Sequence, residues 1–116
     1  MKEYEGEDTP SGIEAEDMVT LVIDLQDGFA DDTVVLHVNG EKLVRRAHIS
    51  TKLLLGLAES FRTEIPIGPV TVDIDIQTKD VTKTILLKVY APTYLGISVA
   101  NGEVEYIVAD EPFGYG

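Results

Sequence analysis

At 116 residues, 44 % of them hydrophobic, the chain has the size and composition of one domain that buries its own core. It has no cysteine, which excludes a disulfide framework, a thiolate zinc site and a thiol nucleophile. Its formal charge of −12 opposes nonspecific binding to nucleic-acid phosphates and to anionic lipid, because both need a field of the opposite sign.

Residues 1–17 carry Glu3, Glu5, Glu7, Asp8, Glu14, Glu16 and Asp17 against the single Lys2, and Thr9-Pro10-Ser11-Gly12 is a breaker cluster. So little apolar surface cannot offset the entropy of ordering, and a disordered acidic N-terminal tail is expected, with 18–116 as a single domain. No apolar stretch of signal-peptide type follows Lys2, and no run reaches the length of a membrane span. The expectation is therefore no membrane insertion, and a cytoplasmic location if Met1 is the native start.

From Met18 the period is two. Val19, Leu21, Ile23 and Leu25 alternate with Thr20, Val22, Asp24 and Gln26, which predicts a strand. Residues 33–38, TVVLHV, lead into Asn39-Gly40, and the return strand is predicted at 42–49, KLVRRAHI. An Asn-Gly pair marks a hairpin because both central residues of a type I′ turn need positive φ. In 51–58, TKLLLGLA, a strand would align Leu53, Leu55 and Leu57 on one face, and Gly56 weakens the helical alternative; a strand is expected. Residues 60–65, SFRTEI, end at Pro66-Ile67-Gly68-Pro69. In 70–77, VTVDIDIQ, Val70, Val72, Ile74 and Ile76 face one way and Thr71, Asp73, Asp75 and Gln77 the other, as in a sheet with one wet side. Strands follow at 82–90, at 94–99 and at 103–109, the last two flanking a second Asn-Gly turn, Asn101-Gly102. The reading is an all-β, antiparallel β-sandwich of about eight short strands, Ig-like or transthyretin-like, with a closed barrel as the alternative.

Over roughly residues 33–89 the chain resembles the transthyretin-like β-sandwiches, which include the carboxypeptidase regulatory-like and PEGA domains. The likeness rests on VVLHVNG at 34–40, with its Val38-Asn39-Gly40 turn, and on Pro66-Ile67-Gly68 opening the β-branched run Val70-Thr71-Val72. It implies a mostly non-catalytic accessory or binding module and carries over no functional residues.

Chemistry is sparsely signalled. DLQDGFADD, residues 24–32, holds four carboxylates in nine residues. Asp24, Asp27, Asp31 and Asp32 are candidate Ca2+ ligands, with Gly28 permitting a sharp turn, although the spacing does not fit an EF-hand loop. The bland alternative is an acidic connection between strands, since Asp favours turns. His37 and His48, on the two strands of one hairpin, could face each other but lack a third ligand, and a structural role is expected. Ser50, Ser60 and Ser98 have no nucleophile-elbow context, and there is no glycine-rich phosphate loop. Lys42, Arg45, Arg46, His48 and Lys52 form a small basic cluster, read as a solvated strand face. Asp73 and Asp75 read as the wet face of a strand. Tyr90, Tyr94, Tyr106, Phe113 and Tyr115 gather in the last third as a candidate ligand or partner surface; the competing expectation is packing at sheet edges, with Phe113 and Tyr115 plugging one end.

The sequence reading is a non-enzyme: a binding or accessory module that engages a protein partner and no nucleic acid, with no cofactor apart from the Ca2+ candidate. The alternatives are a calcium-dependent sandwich with carbohydrate among its ligand classes, and a small hydrolase using paired acids.

Overall fold

A computed structural model describes residues 17–115. The expected acidic tail, apart from Asp17, lies outside the described residues. Eight strands run in chain order: β1 (Met18–Leu25), β2 (Asp32–Val38), β3 (Glu41–Ile49), β4 (Glu59–Pro66), β5 (Gly68–Ile76), β6 (Val81–Val89), β7 (Thr93–Ala100) and β8 (Glu103–Ala109), with a 3-10 turn at Gln77–Lys79. They form two four-stranded sheets, ordered β4-β1-β7-β8 and β3-β2-β5-β6, packed as a sandwich. All pairs are antiparallel except β1 with β7.

The alternation read from the sequence becomes the core. Leu21, Ile23 and Leu25 of β1 and Leu95, Ile97 and Val99 of β7 face Val34 and Leu36 of β2, Val72, Ile74 and Ile76 of β5, and Ile85 and Val89 of β6. Burying each aliphatic side chain contributes about 1.5–3 kcal/mol, and this inner layer holds the two sheets together. Both Asn-Gly pairs are hairpin turns with positive φ at each position: 52° and 82° at Asn39-Gly40, 54° and 76° at Asn101-Gly102. Pro66-Ile67-Gly68 carries the chain from one sheet to the other, and the Ile67 amide donates to the Asp17 carbonyl at 2.8 Å.

One expectation needs correction, and one possibility is closed. Residues 51–58 are not a strand. One isolated bridge, Lys52 with Leu57, closes a turn in which the Leu55 and Gly56 amides both donate to the Lys52 carbonyl, at 2.9 and 2.8 Å. Gly56 takes a left-handed φ of 75°, which a continuing strand does not accommodate. Nor do His37 and His48 face each other. His37 pairs with Lys42, while His48 sits in a bulge opposite Thr33 with φ of 61° and turns its ring outward.

Candidate functional site

The four carboxylates of DLQDGFADD each find a different partner. Asp24, 5 % exposed on the outer face of β1, accepts from Ser60 Oγ at 2.6 Å and from the Tyr115 hydroxyl at 2.5 Å. Asp27 leaves its side chain in solvent; its amide donates to Ser98 Oγ and its carbonyl accepts from the Val99 amide. Asp31, exposed and left-handed at φ 54°, lies 2.7 Å from His48 Nδ1. Asp32, 2 % exposed, accepts from the Ala30 amide at 2.8 Å and from the Thr78 hydroxyl, and pairs with Lys79 Nζ at 2.9 Å. Among the described residues no group of three or more His, Asp or Glu side chains is placed to hold a metal ion. Burial pushes the Asp32 carboxyl up, but the Thr78 and Ala30 hydrogen bonds and the Lys79 ammonium outweigh it, and the net shift is downward. The Tyr115 phenol is pushed up to about 12 by burial and then by its bond to Asp24.

What the acidic stretch does is brace a neighbouring loop. Thr51, at the start of the β3–β4 connection, donates its hydroxyl to the Gln26 carbonyl at 2.6 Å and accepts from the Phe29 amide at 3.1 Å. The Thr51 amide donates to the Phe29 carbonyl at 2.9 Å, the Ala58 amide to the Leu25 carbonyl at 2.7 Å, and the Asp31 amide to Ser50 Oγ at 2.7 Å. Phe29 is buried in the core and anchors the junction. Gly28, at φ 91°, lies so close to β7 that a Cβ would overlap the Val99 carbonyl.

On this braced base stands a tip of leucines. Leu53 and Leu54 are 91 % and 94 % exposed, the most open large apolar side chains of the described residues, and Leu55 is also exposed. Lys52 is exposed beside them, and Arg45, Arg46 and His48 are exposed on β3. Within that basic cluster Arg46 is already engaged, 3.3 Å from Glu59 and stacked 5.3 Å from the Phe61 ring centre. Sequence reasoning missed the tip because the leucines fit a strand; the available signal was Gly56, a glycine with φ of 75°, ending the run Leu53-Leu54-Leu55.

The five aromatic candidates do not share a face. Tyr106 pairs with the core-facing Ile97 and so points inward at the open edge, whereas Tyr94 alternates with buried Leu95 and points outward. Tyr90 is exposed beyond β6, and Phe113 is half-buried. Tyr115 folds back, but onto Asp24 on the outer face rather than into an end of the sandwich.

A cleft of about 470 Å3 lies between the β3 and β4 edges and contains Glu41 and Glu64. Acid–base hydrolysis needs one carboxyl kept protonated by burial. Both glutamates are exposed, and Glu64 already accepts from Thr20 Oγ1 at 2.8 Å. No helix among the described residues is long and apolar enough to cross a membrane. No protein-family model matches the chain, and no curated protein matches it significantly.

Proposed function

We propose that this chain is a non-catalytic protein-binding module that anchors its partner through Leu53 and Leu54. One observation carries the reading: two leucines stand almost wholly in solvent on a loop whose base is tied by hydrogen bonds to the β1–β2 connection. Binding residues are disproportionately found on loops held by a rigid scaffold, and contiguous exposed apolar surface is where partners dock. Seating both leucines in a partner pocket contributes about 3–6 kcal/mol of gross transfer energy. Because the base is fixed before binding, little of that is spent on ordering.

The formal charge of −12 favours a partner whose pocket has a basic rim, and disfavours nucleic acid. The resemblance to transthyretin-like accessory modules, carried by Val38-Asn39-Gly40 and Pro66-Ile67-Gly68, implies the same kind of role.

The test is affinity capture from the producing cells with the wild-type chain and with Leu53→Ser/Leu54→Ser. The variant keeps its fold, seen as an unchanged circular dichroism spectrum and melt, and loses the captured partner. An unchanged set of captured proteins would sink the proposal.

A further inference from the structure

The outer face of sheet β4-β1-β7-β8 carries a polar row next to the base of the leucine loop, with Gln26 shared between them. Ser60, Asp24 and Gly96 are neighbours across β4, β1 and β7. Gly96 leaves the floor bare, and the Gln26 amide lies over it so closely that a Cβ there would come within 2.7 Å. The Tyr115 hydroxyl rests in this row. It donates to Asp24 Oδ2 at 2.5 Å and accepts from Gln26 Nε2 at 3.0 Å, while Ser60 orients the other carboxylate oxygen from 2.6 Å. A shallow open depression of about 230 Å3 adjoins the seat, sharing Gln26 and Gly96 and continuing over Ser98 and Ile107.

The chemistry of the seat is selective. It offers one anionic acceptor and one amide donor to a single atom, and a phenol hydroxyl satisfies both. A carboxylate would be repelled by Asp24, and a phenylalanine would leave both groups unpaired. The seat is filled by the Tyr115 hydroxyl, carried on residues 110–115, which have no regular secondary structure.

We infer that this face is a receptor for a tyrosine-bearing extended segment of a partner protein, and that residues 110–115 hold it as an intramolecular competitor. The inference rests on the protein-binding reading but assigns a different surface and a defined ligand chemistry. A partner segment places its phenol between Asp24 and Gln26 and runs on into the depression over Ser98. Irregular segments without ladder hydrogen bonds are the parts of a fold most readily displaced.

The experiment uses the full-length chain with Tyr115→Ala, titrated with the synthetic peptide DEPFGYG and followed by amide NMR shifts. The variant binds the peptide at least about tenfold more tightly than the wild type, with shifts at Gln26, Ser60, Gly96 and Ser98. DEPFGFG, lacking the hydroxyl, binds about ten- to hundredfold more weakly, as does DEPFGYG when Asp24→Asn is added. If Tyr115→Ala fails to fold, Tyr115→Phe keeps the ring, vacates both hydrogen bonds and is titrated in the same way. Equal affinity for the two peptides, equal affinity of wild type and variant, or shifts confined to Leu53 and Leu54 would overturn the inference. Equal affinities leave capture through the leucine tip untouched, and loss of the capture difference between the wild type and the Leu53→Ser/Leu54→Ser variant would not bear on the phenol seat.

Discussion

Thr51 holds Gln26: its hydroxyl donates to the Gln26 carbonyl at 2.6 Å while accepting from the Phe29 amide at 3.1 Å. This one side chain fastens the base of the leucine tip to the acidic connection. Thr51→Val keeps the shape and removes both bonds, leaving a carbonyl and an amide without partners. It costs about 1–3 kcal/mol in urea unfolding. Amide exchange at Leu55 and Gly56 quickens in the variant, because their turn loses its footing. Unchanged exchange there would show that the tip is held by other means.

Asp32 makes the fold acid-sensitive. Its folded pKa lies below the ordinary 3.8, so the stabilisation is fully present above that value and is lost as pH falls through it. Asp32→Asn lowers stability by about 2–4 kcal/mol at pH 7, because the Lys79 ammonium then faces a neutral amide. The deficit shrinks in acid below about pH 4, where the wild type loses the same interaction. At the alkaline end the sign reverses. Tyr115 is raised from 10.0 to about 12, so its contribution is intact below 10 and disappears as pH rises through 12. Paired denaturation curves across pH check both limbs; a deficit independent of pH in acid would contradict the role given to Asp32.

Two glycines of the same site separate backbone from side-chain crowding. Gly28 combines φ of 91° with overlap against the Val99 carbonyl, and neither can relax without moving β7. Gly28→Ala therefore costs about 3 kcal/mol or more. Gly96 meets only the flexible end of Gln26, so Gly96→Ala costs less than about 1.5 kcal/mol. Its more telling effect is on Tyr115, which loses a donor as Gln26 swings aside. Thermal melts rank the two variants, and the reverse ranking would contradict the packing described.

Millimolar calcium leaves the melting temperature where chelator leaves it. Asp24 is capped by Ser60 and Tyr115, and Asp32 by Lys79, Thr78 and Ala30, so two of the four carboxylates would have to break existing bonds to coordinate an ion. A ligand at a hundredfold its Kd would add about 2.7 kcal/mol, which a melt detects easily. An upward shift with calcium would revive the metal loop.

The sandwich was legible because its signals are local. Asn39-Gly40 and Asn101-Gly102 encode positive φ pairs, and the alternation from Val70 to Ile76 encodes a sheet with two unlike faces. The leucine tip was misread because Leu53, Leu55 and Leu57 also satisfy a period of two. What decides against a strand is Gly56 in a left-handed conformation closing back on the Lys52 carbonyl. The acidic stretch was half legible. Asp27-Gly28 as a turn follows from residue chemistry, whereas the partners of Asp24 and Asp32 lie in distant segments: Tyr115 is 91 positions away and Thr78 is 46. No window of sequence around residue 24 contains that information.

Partner contact through the leucine tip is open to direct cross-linking. The most direct measurement places a photo-reactive amino acid at Leu54 and, as a control, at exposed Lys83 on β6 of the full-length chain, and cross-links both in the producing cells. The account predicts a discrete adduct from position 54 that is missing from position 83. The same pattern of adducts from both positions, or adducts from position 83 alone, would contradict it.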